Sequence, residues 1–133
     1  MSMDATRILL CIDDGARRRL FAAALAPSAD VEVVGAGAAD ESGIRAAAAR
    51  QPDVILVEAA RPGLDGAKLV GRLRAVAPRA GLLAVALQDD RPRTVVARGL
   101  AADRYVDPDV ATAGLLDVLL EFVHDRRAGR IAS

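Results

Sequence analysis

The stretch that decides the fold is Asp53–Gly66, DVILVEAARPGLDG. A run of apolar residues ends on one acid, Glu58, and a Pro-Gly turn then leads toward a helix. Four to six continuous apolar residues bounded by turn signals read as a strand buried on both faces, the mark of a parallel sheet. An acid at the end of such a strand calls for an explanation, because burying a carboxylate costs several kcal/mol unless it is paired or bound to a cation.

The same alternation continues to either side. Arg7 to Ile12 reads as a strand and Ala16 to Ala26 as a helix with Leu20, Phe21, Ala24 and Leu25 inward, stopped at Pro27. Val31 to Gly35 is a second strand, and Glu41 to Arg50 an alanine-rich helix that ends before Pro52. After the strand Asp53 to Glu58 come a helix from Gly66 to Val76, with Leu69, Val70, Leu73 and Val76 inward, and a strand from Gly81 to Leu87. A helix from Pro92 to Leu100, a short strand Arg104 to Val106 and a helix from Ala113 to Arg127 complete five βα units. The expected architecture is a doubly wound α/β sandwich on a five-stranded parallel sheet, with its functional crevice at the carboxyl ends of the strands. Residues 1–5 read as an N-terminal tail, 6–125 as the domain, and 126–133, RRAGRIAS, as a tail or cut linker.

Composition narrows the function. The 133 residues suffice for one core, built from Leu, Val, Ile and Ala, since the chain has two Phe, one Tyr and no Trp. No apolar run approaches the ~20 residues of a membrane span, and MSMDATR lacks the apolar segment of a signal peptide, so the expected location is the cytoplasm, with no membrane partner. Eighteen bases cancel eighteen acids, which argues against a surface for nucleic-acid phosphates. The one cysteine, Cys11, lies among Ile8, Leu9, Leu10 and Ile12 and reads as a small buried hydrophobe. His124 sits near the end of the last helix, where a cation favours the helix dipole. Among the bases there is one lysine, Lys68; the rest are arginine. Arg17, Arg18 and Arg19 with Arg126 and Arg127 read as a solvated basic face, or a patch for an acidic partner. GAGAAD, Gly35 to Asp40, lacks the third glycine of a dinucleotide fingerprint and reads as a loop, and QDDRPR, Gln88 to Arg93, as a charged turn.

The carboxyl ends of the strands carry Asp13 and Asp14, then Glu58, Ala86 to Gln88, and Asp107. Asp13, Asp14 and Glu58 are expected to converge, and three carboxylates in one crevice bind a cation, share protons or recruit bases. Oxygen ligands of this kind suit Mg²⁺, Mn²⁺ or Ca²⁺.

With ILLCIDD, DVEVVGAGAADESGI, RQPDVILVEAARPGLDG and ADRYVDP in order, the chain resembles a receiver domain of a two-component response regulator, nearly collinear from Arg7 to Val123. The resemblance implies the flavodoxin-like (βα)5 fold and a phosphoacceptor aspartate at the position of Glu58. It further implies Mg²⁺ held by Asp13, Asp14, the acceptor and the carbonyl of residue Ala60, a Thr or Ser at Ala86, a Lys at Asp107, and a switch aromatic at Tyr105. This sequence departs at three of these positions, Glu58, Ala86 and Asp107 (Pro108 if no gap is placed). Phosphoryl transfer depends on positioned charge, so losing a cation and a hydroxyl donor together with a shifted nucleophile points to a pseudo-receiver that is not phosphorylated by the usual route. Such a domain requires no cofactor, with Mg²⁺ left open, and is no enzyme. It acts by protein contact, as a homodimer or on an output domain, through the face of the fourth helix, fifth strand and fifth helix (Pro92 to Arg127). The alternative is a receiver-like sensor of a metal or small ligand, and a third reading is an active phosphoacceptor.

Overall fold

A computed structural model describes residues 5–60, 66–86, 102–106 and 114–129. Its elements are β1 (Thr6–Cys11), α1 (Gly15–Leu25), β2 (Val31–Gly37), α2 (Glu41–Arg50), β3 (Val54–Ala60), α3 (Gly66–Val76), β4 (Gly81–Ala86), β5 (Arg104–Val106) and the last helix, α4 (Leu115–Arg127). The strands form one parallel sheet in the order β2-β1-β3-β4-β5. Because β1 lies between β2 and β3, the chain reverses its winding there, and the carboxyl ends of β1 and β3 border the switch-point crevice.

The pleat sends alternate residues to opposite faces, which gives the sheet two cores. Leu9, Cys11, Ile55, Val57, Leu82 and Ala84 face α2 and α3, meeting Ile44, Leu69, Val70 and Leu73. Ile8, Leu10, Ile12, Val54, Leu56, Leu83 and Val85 face α1 and α4, meeting Phe21, Leu25, Leu119 and Phe122. Each fully buried Leu, Ile or Phe contributes roughly 1.5–3 kcal/mol, so the continuous apolar runs supply the main driving force on both faces. Among the described residues no helix is long and apolar enough to cross a membrane.

Helix entries and exits are set by side chains. Asp14 caps α1, accepting the Ala16 N–H at 2.9 Å, and Asp40 caps α2, accepting the Ser42 N–H at 2.8 Å. Gln51 ends α2 with φ of 45° and donates from Nε2 to the carbonyls of Ala48 (3.0 Å) and Val76 (2.8 Å), tying α2 to α3. Gly43, in the first turn of α2, has no room for a side chain: a Cβ there would lie 2.3 Å from the Ala38 oxygen and 2.9 Å from Cys11 Sγ.

Several expectations need correction. Leu20 is 57% exposed and Ala24 is exposed; Phe21 and Leu25, one turn apart, set the inward line of α1, which also contains Arg18 and Ala22. β2 continues to Gly37, which pairs with Cys11, so half of the supposed GAGAAD loop is strand. β3 runs two residues past Glu58, with an irregular register between Glu58 and Ala60. Arg126 and Arg127 complete α4 rather than beginning a tail. Between Ile8 and Leu9 the β1–β2 register also slips, because Ile8 pairs with Val33 and Leu9 with Gly35, which leaves Val34 as an extra residue. The helix expected from Pro92 to Leu100, the QDDRPR turn, Asp107 and Pro108, and residues 1–4 and 130–133 lie outside the described residues.

Candidate functional site

Glu58 sits in β3 beside β1 with 3% of its surface exposed. Its Oε1 accepts the backbone N–H of Asp13 at 2.9 Å. Asp13, half-buried, sends Oδ1 to the N–H of Ala39 at 2.9 Å in the β2–α2 connection. Asp14 turns to its own helix, accepting the Ala16 N–H, with Arg17 Nε 3.9 Å from its other oxygen. The structure therefore brings Glu58 to Asp13, through a backbone N–H, while Asp14 serves as a cap. Among the described residues no group of three or more His, Cys, Asp or Glu that could hold a metal ion is found. Glu58, Asp13 and Asp14 each accept a backbone N–H, from Asp13, Ala39 and Ala16 respectively.

Ala86 ends β4 and pairs with Ala60 beyond the irregularity in the β3–β4 register. Tyr105, on β5, is half-buried and packs with Ala102 against the core layer of α2 and α3. Asp107 lies outside the described residues.

Sequence reasoning missed Arg18. Its Nη1 donates to the carbonyls of Ile12 (2.6 Å) and Asp13 (3.2 Å), at the base of the crevice. Within the run RRR nothing singles it out, but its spacing of three and seven from Phe21 and Leu25 places it on the buried line. The basic face accordingly does not form as one surface. Arg17 leans on Asp14, Arg18 turns inward, and Arg126 donates to the carbonyls of Asp53 (3.1 Å) and Arg79 (3.0 Å), although α1 and α4 do pack side by side.

Cys11 is an inert core residue: burial, and secondarily the charge of Asp40, push its thiol up to about 12. Two hollows lie away from Glu58. A polar cavity of about 540 Å³ opens at the amino ends of the strands, lined by Thr6, Arg7, Glu32, Asp53 and Arg126 among others. A shallower groove of about 290 Å³ runs between α2 and α3, over Ala39, Ile44 and Leu69, with Lys68 and Arg72 on its rim.

No protein-family model matches the chain. Over 132 residues, 98% of its length, it is 29% identical to the nitrate/nitrite response regulator protein NarL of Escherichia coli, of which it spans 59%. It is 27% identical to a protein-glutamate methylesterase/protein-glutamine glutaminase of a Nocardioides species, spanning 36% of that protein. Among solved structures, a CheY-like response regulator receiver domain protein from Methanospirillum hungatei superposes with a TM-score of 0.77 at 21% identity, covering 95% of this chain and 99% of the other. The response regulator domain of Thermotoga maritima CheB gives 0.73 at 20% identity, covering 98% and 100%. The shared five-stranded order and these likenesses show the flavodoxin-like fold of CheY-like receiver domains, and the sequence is similar to response regulators along nearly its whole length.

Proposed function

We propose that this receiver works without phosphorylation and signals by protein contact. The observation that carries the reading is the state of Glu58. A carboxylate that attacks phosphorus has to present a lone pair in line with the leaving group. Glu58 is almost wholly buried, and its Oε1 already holds the Asp13 N–H. Ala86 supplies no hydroxyl at the end of β4, and Asp107 puts an acid where the resemblance calls for a lysine. Without that positioned charge, a transferring phosphoryl group would meet further carboxylates.

With phosphate chemistry absent, the domain is no enzyme and requires no cofactor. It acts in the cytoplasm as a contact module, through its own second copy or an output domain attached or in trans, and leaves any reading of nucleic acid to that output. The favoured surface is the Pro92 to Arg127 side. In its described part Arg104 of β5 reaches α4, pairing with Asp125 at 3.0 Å and Glu121 at 3.5 Å, and lies 5.6 Å from the Phe122 ring centroid. A fixed rather than switching state of this side fits the half-buried packing of Tyr105 against the core.

Incubation with acetyl phosphate and Mg²⁺, followed by intact-mass measurement, is expected to show no phosphoryl adduct. A stable adduct that maps to Glu58 would sink the proposal.

A further inference from the structure

Glu58 poses an electrostatic question that its one hydrogen bond does not answer. A carboxylate 3% exposed needs more than a neutral donor to offset its loss of hydration. The N–H that it accepts belongs to the peptide group joining Ile12 to Asp13, and the carbonyl of that same peptide is the one that Arg18 Nη1 holds at 2.6 Å. Guanidinium, peptide and carboxylate thus stand in series: the cation donates to one end of a single amide, and the anion accepts from the other. A cation at the carbonyl withdraws charge from the amide and strengthens its N–H as a donor, so each bond reinforces the next. Arg18 also donates to the Asp13 carbonyl at 3.2 Å, which fixes the guanidinium across two successive peptides.

We infer that Arg18 is the counter-ion of Glu58, acting through the Ile12–Asp13 peptide, and that it takes the charge-balancing place for which receivers of the resembled pattern use a divalent cation. Three features converge on this. Arg18 is half-buried and lies on the line of α1 that carries the buried Phe21 and Leu25. Asp13 sends Oδ1 to the Ala39 N–H and Asp14 sends Oδ1 to the Ala16 N–H, so one oxygen of each acid is held by the backbone. Among the described residues, the Arg18 guanidinium is the charge that reaches the peptide to which Glu58 is bound. Arg18 is a positioning residue here and touches no substrate.

The inference rests on the reading of Glu58 as a residue that accepts no phosphoryl group; an adduct on Glu58 would overturn both, whereas the tests below bear on this inference alone. A double-mutant cycle crosses Arg18→Gln with Glu58→Gln, read by urea unfolding of the full chain. Gln at 18 keeps an N–H donor for the carbonyl while removing the charge. If Arg18 serves as counter-ion, Arg18→Gln raises the unfolding constant about tenfold more with Glu58 present than with Gln at 58. A mere brace of the β1–α1 loop predicts the same cost in both backgrounds, and that result would overturn the inference. Should Arg18→Gln unfold, all four proteins are measured in trimethylamine N-oxide, which stabilises them together. As a second arm, the melting temperature of the unaltered chain is expected not to move with millimolar Mg²⁺. A rise of several degrees that Asp13→Asn abolishes would show a metal in the place assigned to Arg18, and would also overturn it.

Discussion

At the carboxyl end of the sheet, acids accept backbone N–H groups: Glu58 from Asp13, Asp13 from Ala39, Asp14 from Ala16 and Asp40 from Ser42. At the amino end, arginines donate to backbone carbonyls: Arg7 to those of Arg50 (2.7 Å) and Gln51 (2.8 Å), and Arg126 to those of Asp53 and Arg79. The division follows from the topology. In a parallel βα sandwich every helix begins near the carboxyl edge with free N–H groups and ends near the amino edge with free carbonyls. Charges at both edges are thus first a response to helix ends. The hollow of about 540 Å³ at the amino edge lies between such braces.

The largest expected difference between the two edges comes from their glycines. Gly43→Ala drives a Cβ into the Ala38 carbonyl, a backbone atom, whereas at Gly81 the atoms met are side-chain ends, Arg126 Nη1 at 2.8 Å and Phe122 Cε2 at 2.8 Å. Urea unfolding should show Gly43→Ala costing about 3 kcal/mol or more and Gly81→Ala about 1–2 kcal/mol, because Arg126 can swing aside and the Phe122 ring has to shift, where the Ala38 carbonyl is fixed in the backbone. Equal costs would mean that α4 is seated as rigidly as the α2 turn.

Next in size are the braces themselves. Glu58→Ala leaves the Asp13 N–H without its acceptor in a buried site and should cost about 1–3 kcal/mol. Arg126→Ala releases two carbonyls that water can reach, for a loss of about 1 kcal/mol. A reversal of this order would place the more stringent demand at the amino edge.

The smallest expected effect is a pH response at the start of α2. Hydrogen bonds from Ser42, first through its hydroxyl and then its backbone, hold the Asp40 carboxyl below the ordinary carboxylate range. A depressed folded-state pKa means that the cap's contribution is present above the unfolded value, near 3.8, and is lost as pH falls through the lower folded value. Amide exchange at Ser42 and Gly43 should therefore quicken in strong acid before the sheet opens, and Asp40→Asn, a neutral cap, should remove that response.

Much of this architecture was legible in the residues. Glu41–Arg50, Gly66–Val76 and Arg104–Val106 match the observed α2, α3 and β5, since caps, prolines and a 3.6-residue period mark both helices. The acids at the strand ends were legible too. Their hydrogen bonds were not, because which N–H each of Asp13, Asp14 and Glu58 accepts depends on where β1, the β2–α2 connection and α1 deliver those donors. Arg18 was lost in RRR for a similar reason: the period of α1 permits it to turn inward, but only the Ile12 and Asp13 carbonyls draw it there. Leu20 misled in the opposite sense, as a large apolar residue one position off the buried line.

The extra residue at Val34 bears on the molecule's behaviour in a crowd. β2 is an outer strand of seven residues, VEVVGAG, whose one charge is Glu32, a composition that in a flat ribbon would invite strands from other chains to add on and seed aggregates. The slip in the ladder at Ile8 and Leu9 twists that rim and breaks its hydrogen-bonding repeat midway. A newcomer could align with three residues or so before losing step, which disfavours adding a further strand at this edge.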